Sequence, residues 1–361
     1  MKKRFFISLT LFYFGIIFSF AQIPQGYYDS AIGLYGTQLK TALYNIIKNH
    51  TVVSYNSLYT HYATTDNLKG DTVWDMYSIK SNGTANYYYR HGLNTCGSYN
   101  SEGDCYNREH STPASWFNDA SPMYSDLFNV YPTDGYVNNR RSNYPMAKVG
   151  NATWTSSNGS KLGTCITLGY SGTVFEPIDS FKGDFARSFL YMATRYENVV
   201  ATWPSNSTEA AAVYAGNSGL AFKQWYIYLL LEWCKLDPVS QKEIDRNNAV
   251  YNIQNNRNPF IDHPEFAELI WGPYPATNDI SKEKLFNVYT NADRSIVYVD
   301  LFSAENSKNY IYLYDISGRK VLSDIINNNK TELNIASLEN GVYILAAFSA
   351  DKVIFTYKIV K

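Results

Sequence analysis

The chain has 361 residues, with 31 Lys and Arg against 32 Asp and Glu, and it contains five His, four Cys and 33 Tyr. A net charge of -1 excludes a protein that attracts nucleic acid by a global basic field, so any phosphate contact must come from a local cluster or a bound cation. The length allows two domains.

The opening, MKKRFFISLTLFYFGIIFSFAQ, has a basic start, an apolar run and small or polar residues near Ala21, the pattern of a cleaved secretory signal. Ser8, Thr10 and Ser19 interrupt the run and no second apolar span follows, which argues against a membrane anchor. The mature chain is expected to begin near Gln22, to be secreted and to be a monomer. Residues 22–275 carry 18 basic and 22 acidic side chains, a net of -4, and residues 276–361 carry ten of each.

In chain order, the spacing of Leu34, Leu39, Leu43 and Ile47 predicts a core helix over 31–49. Four cysteines can pair in three ways in an oxidising compartment. Cys96 with Cys105 is favoured, because CGSYNSEGDC is a short Gly/Ser loop, and no CxxC spacing supports zinc. Cys105–His110 has strand character and is stopped by STP, with Thr112 placed to cap a helix beginning at Pro113. A second short strand is expected at LFNVYP. In TDGYVNNRRSN, Thr133 can cap a helix that carries Asn138 and, one turn on, Arg141 and Ser142 along the same face.

Further helices are expected from Gly183, over 222–235, and after Asp237 as N-cap with Pro238 in first position. Strands are scarce in this region, so the fold class is α+β: a mainly helical body with a small strand–strand–helix insert. Beyond residue 275 the chain has no Cys, His or Trp, and alternation in SIVYVDL, NYIYLYDISGRKVL, GVYILAAF and VIFTYKIVK predicts a β-sandwich of roughly 75 to 85 residues.

A phosphodiester hydrolase needs a base for the attacking water and a hard cation for the charge growing on oxygen. His110 near its reference pKa of about 6.5 can act as the base. Glu109 and Asn138 offer oxygens suited to Mg²⁺, and two protein ligands leave most of an octahedron to water and phosphate. Neighbouring residues of a regular strand point to opposite faces, so Glu109 and His110 can address one phosphate only if the backbone turns at His110. On this dipeptide alone, an exposed Glu beside a structural His is the favoured reading. Arg108 is a phosphate clamp or a surface ion pair. His50, His61, His91 and His263 read as structural, and the tyrosines as packing.

Taken together, DCYNREHSTPASWF, DLFNVYPTDGYVNNRRSNYP, GYSGTVFEPIDSFKGDFARSFLYMATRYEN and DPVSQKEIDRNNAVYNIQNNRNPFIDHPEFAELIW resemble the endonuclease I family of secreted bacterial nucleases, from about residue 27 to 272. The resemblance implies a ββα-metal active site in a helical body and a single Mg²⁺, with Mn²⁺ or Ca²⁺ able to substitute. It makes His110 the general base, Glu109 and Asn138 the metal ligands, and Arg141, with Arg140, neighbours of the phosphate. Arg187 in GDFAR is a substrate contact or a partner of Asp184 or Glu176. DLFN departs from members that read DLHN, so Phe128 cannot supply a hydrogen bond that a His there would make.

The C-terminal segment resembles the sorting domains read by the type IX secretion machinery, on the phrases LYDISGRKV, LENGVYIL and YKIVK. The expectation is a signal at 1–21, a catalytic domain at 22–275 and a sorting sandwich at 276–361. The function expected is a secreted, Mg²⁺-dependent, non-specific endonuclease on DNA, with RNA left open, that yields 5′-phosphate ends. The rival is an exported adhesion or polysaccharide-binding protein without turnover, to be preferred if His110, Glu109 and Asn138 do not converge.

Overall fold

The computed structural model describes residues 23–272 and 286–361, apart from 292, 302–308, 316–318, 327–329 and 350–351. The expected export signal and the 275/276 boundary lie outside the described residues. The chain divides into two compact units, one ending at Gly272 and the other following it.

The first unit runs α1 (Gly36–Ile47), α2 (Leu58–Thr65), β1 (Asn67–Lys69), β2 (Thr72–Val73), β3 (Tyr106–His110), β4 (Val130–Asp134), α3 (Gly135–Arg141), β5 (Val149–Thr155), β6 (Lys161–Cys165) and β7 (Thr173–Glu176). It continues with α4 (Lys182–Arg195), α5 (Thr208–Val213), α6 (Gln224–Leu236), α7 (Gln241–Gln254), α8 (Pro259–Asp262) and α9 (Glu265–Trp271). Leu39, Leu43 and Ile47 form the buried stripe of α1. That helix starts later than the apolar spacing predicts, because a tight turn at Asp29–Ala31 precedes it and Gly33 takes a positive φ of 78°. Helix α4 is the central rod: every residue except Asp184 is buried, and Phe189 packs edge-on against Tyr226 of α6 at 5.4 Å between ring centroids.

Helix α7 is capped by Ser240 and not by Asp237. Ser240 Oγ accepts from the Glu243 amide while the Glu243 carboxylate accepts from the Ser240 amide, a reciprocal capping box. Asp237 instead follows α6 and accepts from the Gly183 amide at the start of α4. The disulfide joins Cys96 and Cys105, while Cys165 and Cys234 carry free thiols.

Strands β3 and β4 pair antiparallel, with Glu109 opposite Tyr131 and His110 opposite Val130. Pro132 lies within β4, which is tolerated because this is a two-stranded sheet with an unpaired outer edge. The cap of α3 is Asp134, whose Oδ1 accepts from the Val137 amide at 2.8 Å; Thr133 is one residue too early, still paired opposite Asn107 in the ladder. The helix expected after Thr112 is only a 3₁₀ turn over Ala114–Phe117, with Pro113 before it and no side-chain cap. Beyond the insert, β5, β6 and β7 form a separate antiparallel sheet.

The second unit is built from β8 (Phe286–Thr290), β9 (Ile296–Leu301), β10 (Asn309–Asp315), β11 (Lys320–Ile326), β12 (Lys330–Asn334), β13 (Val342–Ser349) and β14 (Lys352–Val360). They form one sheet in the order β11-β10-β13-β14 and another in the order β12-β9-β8. Alternate residues such as Val297, Val299, Ile311, Leu313, Leu345 and Ala347 turn inward to a shared apolar core.

Candidate active site

Alternation along β3 sorts its residues onto two faces: Tyr106, Arg108 and His110 on one, Asn107 and Glu109 on the other. Helix α3 lies over the second face. Asn138 and Arg141, three residues apart, share one side of the helix. Asn138 Nδ2 donates to Asn107 Oδ1 at 2.7 Å, and Arg141 Nη1 lies 3.0 Å from Glu109 Oε1. Glu109 and Asn138 are thus carried on facing surfaces of one strand and one short helix.

The Glu109 carboxylate is almost fully buried, and its Oε1 also accepts from the Tyr77 hydroxyl at 2.8 Å. Burial pushes its carboxyl up to about 6, opposed by the charge of Arg141 and the Tyr77 hydrogen bond. Among the described residues no donor reaches Oε2, and with its amide nitrogen held by Asn107, Asn138 keeps Oδ1 without a partner. Both groups leave one hard oxygen unengaged, which fits a divalent cation of the Mg²⁺ kind. Among the described residues no three His, Cys, Asp or Glu converge as a metal site, so the fit rests on this carboxylate and this amide.

His110 sits at the end of β3 with Nε2 3.0 Å from the carbonyl oxygen of Tyr124. A carbonyl can only accept, so Nε2 carries the hydrogen and Nδ1 keeps its lone pair. Burial lowers the imidazole pKa to about 4, with the Arg141 and Arg108 charges acting in the same direction against the Tyr124 bond. The ring is neutral around pH 7. It lies near-parallel to Tyr55, 5.8 Å away, and beside Tyr124 at 5.0 Å.

The backbone stays in the ladder through His110 and bends just after it, at Ser111 and Thr112. Arg141 donates from Nη1 to the His110 carbonyl at 2.8 Å and from Nη2 to the Ser111 carbonyl at 2.5 Å. Successive carbonyls of a regular strand point to opposite sides, so one guanidinium can bind both only where that alternation is broken. Asn129 clamps the far side of the turn: its Oδ1 accepts from Ser111 Oγ and from the Thr112 amide, both at 2.9 Å. The strand thus ends at His110, with Arg141 on one side of the bend and Asn129 on the other.

The remaining arginines differ from one another. Arg141 is buried and its two terminal nitrogens face Glu109 and two carbonyls, so it ties these groups together where the sequence suggested a phosphate contact. Arg187 is interior: Nε and Nη2 grip Glu243 at 2.5 and 2.8 Å, and Nη1 reaches the Asp237 carbonyl at 2.9 Å. That geometry removes it from the substrate and makes Glu243, not Asp184 or Glu176, its partner; Glu176 pairs with Lys182 at 2.6 Å. Arg108 is neither a surface ion pair nor exposed: its guanidinium lies over Tyr55 at 3.7 Å and Tyr59 at 4.6 Å. Arg140 is exposed and rests on Tyr136, 5.0 Å from the ring.

Phe128 is buried against Tyr191 at 4.7 Å between centroids, an apolar replacement for any histidine. His50 accepts from Arg195 Nε at 2.9 Å, and His263 packs between Tyr28 and Phe266, both structural. Sequence reasoning missed Tyr77, Asn107, Tyr124 and Asn129. Asn107 and Asn129 stood inside quoted motifs, DCYNREH and DLFN, and that place alone could have drawn notice.

A strand pair followed by a short helix, carrying a buried carboxylate, an amide and a neutral imidazole, has the ββα order of a metal nuclease. The chain belongs to the endonuclease I family, which it matches over residues 35–265, while residues 287–361 match the secretion system C-terminal sorting domain. It is 34 % identical over 257 residues to an extracellular ribonuclease of Bacillus amyloliquefaciens, covering 68 % of this chain and 78 % of that protein. Identity is 25 % over 138 residues with Endonuclease-1 of Buchnera aphidicola, covering 38 % and 44 % respectively. With a periplasmic deoxyribonuclease of Aeromonas hydrophila it is 26 % over 142 residues, covering 39 % and 48 %. The protein is a secreted nuclease of a metal-dependent family, and family membership sets aside the adhesion reading.

Proposed function

We propose that the protein is a Mg²⁺-dependent, sequence-non-specific endonuclease that hydrolyses phosphodiesters of DNA and RNA to 5′-phosphate and 3′-hydroxyl ends. Residues 22–275 carry the catalysis, and residues 276–361 address the chain to the type IX secretion machinery. The observation that carries the chemistry is the Nε2 contact of His110 with the Tyr124 carbonyl, which leaves the Nδ1 lone pair free to take a proton on the same strand that bears Glu109.

In this mechanism His110 Nδ1 takes a proton from the attacking water, and the resulting imidazolium is held by its Nε2–H bond to Tyr124. Glu109 and Asn138 would hold the cation. When bound, Mg²⁺ would supply positive charge for the phosphoryl oxygens and the departing 3′ oxygen. Arg141 keeps the His110 turn and the Glu109 carboxylate in one relative position. Water as nucleophile needs no 2′-hydroxyl, so either sugar is accepted, in line with relatives named as a ribonuclease and as a deoxyribonuclease. Contacts to phosphate carry no base information, which accounts for low specificity.

The test is digestion of supercoiled plasmid, linear single-stranded DNA and RNA by the mature chain, with Mg²⁺ or EDTA, beside His110→Ala. Metal-dependent cleavage lost in the variant is expected. No cleavage by folded, disulfide-intact protein with Mg²⁺, Mn²⁺ or Ca²⁺ would remove the assignment.

A further inference from the structure

Tyr77 lies outside β3, β4 and α3, yet its hydroxyl donates to Glu109 Oε1 at 2.8 Å. The ring is fully buried between Phe175 and Phe185, at 5.2 and 5.9 Å between centroids, so the hydroxyl has few other places to go. Its backbone is pinned as well, since the Tyr77 amide donates to Asp75 Oδ1 at 2.8 Å. Asp75 Oδ2 in turn accepts at 3.1 Å from the amide of Asp134, the residue that caps α3. One buried carboxylate therefore links the phenol that grips Glu109 to the start of the helix that bears Asn138.

We propose that Tyr77 is a positioning residue for the cation site: it holds Glu109 with Oε2 presented to the cation, and Asp75 keeps that carboxylate in register with Asn138. The proposal rests on Glu109 and Asn138 being the cation's ligands. Oε1 is held by two donors, the Tyr77 hydroxyl and the Arg141 guanidinium, and the division of labour between the two carboxylate oxygens follows from that. Arg141 alone serves less well, because it also binds two carbonyls and its charge competes with a cation for the carboxylate. The phenol adds a neutral donor on a rigid mount, so less side-chain order remains to be imposed when the cation binds.

The experiment is calorimetric titration of the mature chain with Mn²⁺, comparing the parent with Tyr77→Phe, Asp75→Asn and Glu109→Gln. Tyr77→Phe should weaken Mn²⁺ binding by about 10-fold or more, the range for outer partners of metal ligands. Cleavage lost at low Mn²⁺ should return as Mn²⁺ is raised, and binding of a fluorescent oligonucleotide in EDTA should keep its parental Kd. Asp75→Asn, which retains the phenol, should shift the isotherm in the same direction and stands in if Tyr77→Phe does not fold. A parental Mn²⁺ affinity in Tyr77→Phe or, failing that, in Asp75→Asn, while Glu109→Gln is weakened, overturns the role of Tyr77. If Glu109→Gln also binds Mn²⁺ like the parent, the ligand assignment itself is wrong, and the proposal goes with it.

Discussion

The carbonyl oxygen of His110 lies 2.8 Å from Arg141 Nη1, and the same guanidinium binds the next carbonyl, that of Ser111. This pairing ties the strand end to helix α3, because it holds two successive carbonyls while Nη1 also meets Glu109. A lysine has the charge but not the planar fork. Arg141→Lys should therefore lower kcat by on the order of 100-fold and destabilise the fold by about 1 to 3 kcal/mol, as leaving a buried carbonyl without its donor does. Urea unfolding and plasmid cleavage, measured on the same preparation, check both; parental kcat would deny Arg141 its positioning role.

His110→Ala removes the base and leaves the Glu109 and Asn138 oxygens in place. A loss of roughly 10²- to 10⁴-fold in kcat is expected, with Mn²⁺ affinity within a few-fold of the parent. A variant that kept its rate would place the base elsewhere.

The buried imidazole also has a pH signature. Its folded pKa, about 4, lies below the unfolded value near 6.5. As pH falls below 6.5 the unfolded chain takes up a proton that the native state refuses, so this contribution is present above that pH and is lost on acidification. Between pH 7 and pH 5 it amounts to about 2 kcal/mol. Glu109, pushed up to about 6, works in the opposite sense, and His50, lowered by burial, in the same sense as His110. The clean observable is the difference between the parent and His110→Gln, unfolded by urea in EDTA at the two pH values. The parent should lose more stability on acidification, and equal losses would contradict the burial of a neutral His110.

Arg187→Ala separates a structural arginine from a substrate contact. It leaves the Glu243 carboxylate buried without its partner, which should cost about 3 to 5 kcal/mol. At a temperature where the variant is folded, KM should match the parent. A raised KM with unchanged stability would return Arg187 to the substrate.

Legibility followed range along the chain. The strand ending at His110 and the helix bearing Asn138 were readable from alternation, the STP stop and polar cap types, all local signals. Cap choices failed by one to a few residues, at Thr133 for Asp134 and at Asp237 for Ser240. Neighbouring Thr, Asp and Ser are interchangeable as caps, so the ladder or the capping box decides among them. Arg187 was misjudged for a different reason, since its partner lies 56 positions away.

By itself, the sequence determined that this protein is exported, that it has a nuclease body and a β-rich tail, and which dipeptide to suspect. Those conclusions rest on composition, periodicity and motif order, which are properties of contiguous chain. Only the tertiary structure decided what surrounds Glu109 and His110. The decision depends on a guanidinium 31 positions beyond His110 and a phenol 32 positions before Glu109. Hydrogen bonds over such separations exist only once the surrounding helices and strands have packed, and no local pattern encodes them.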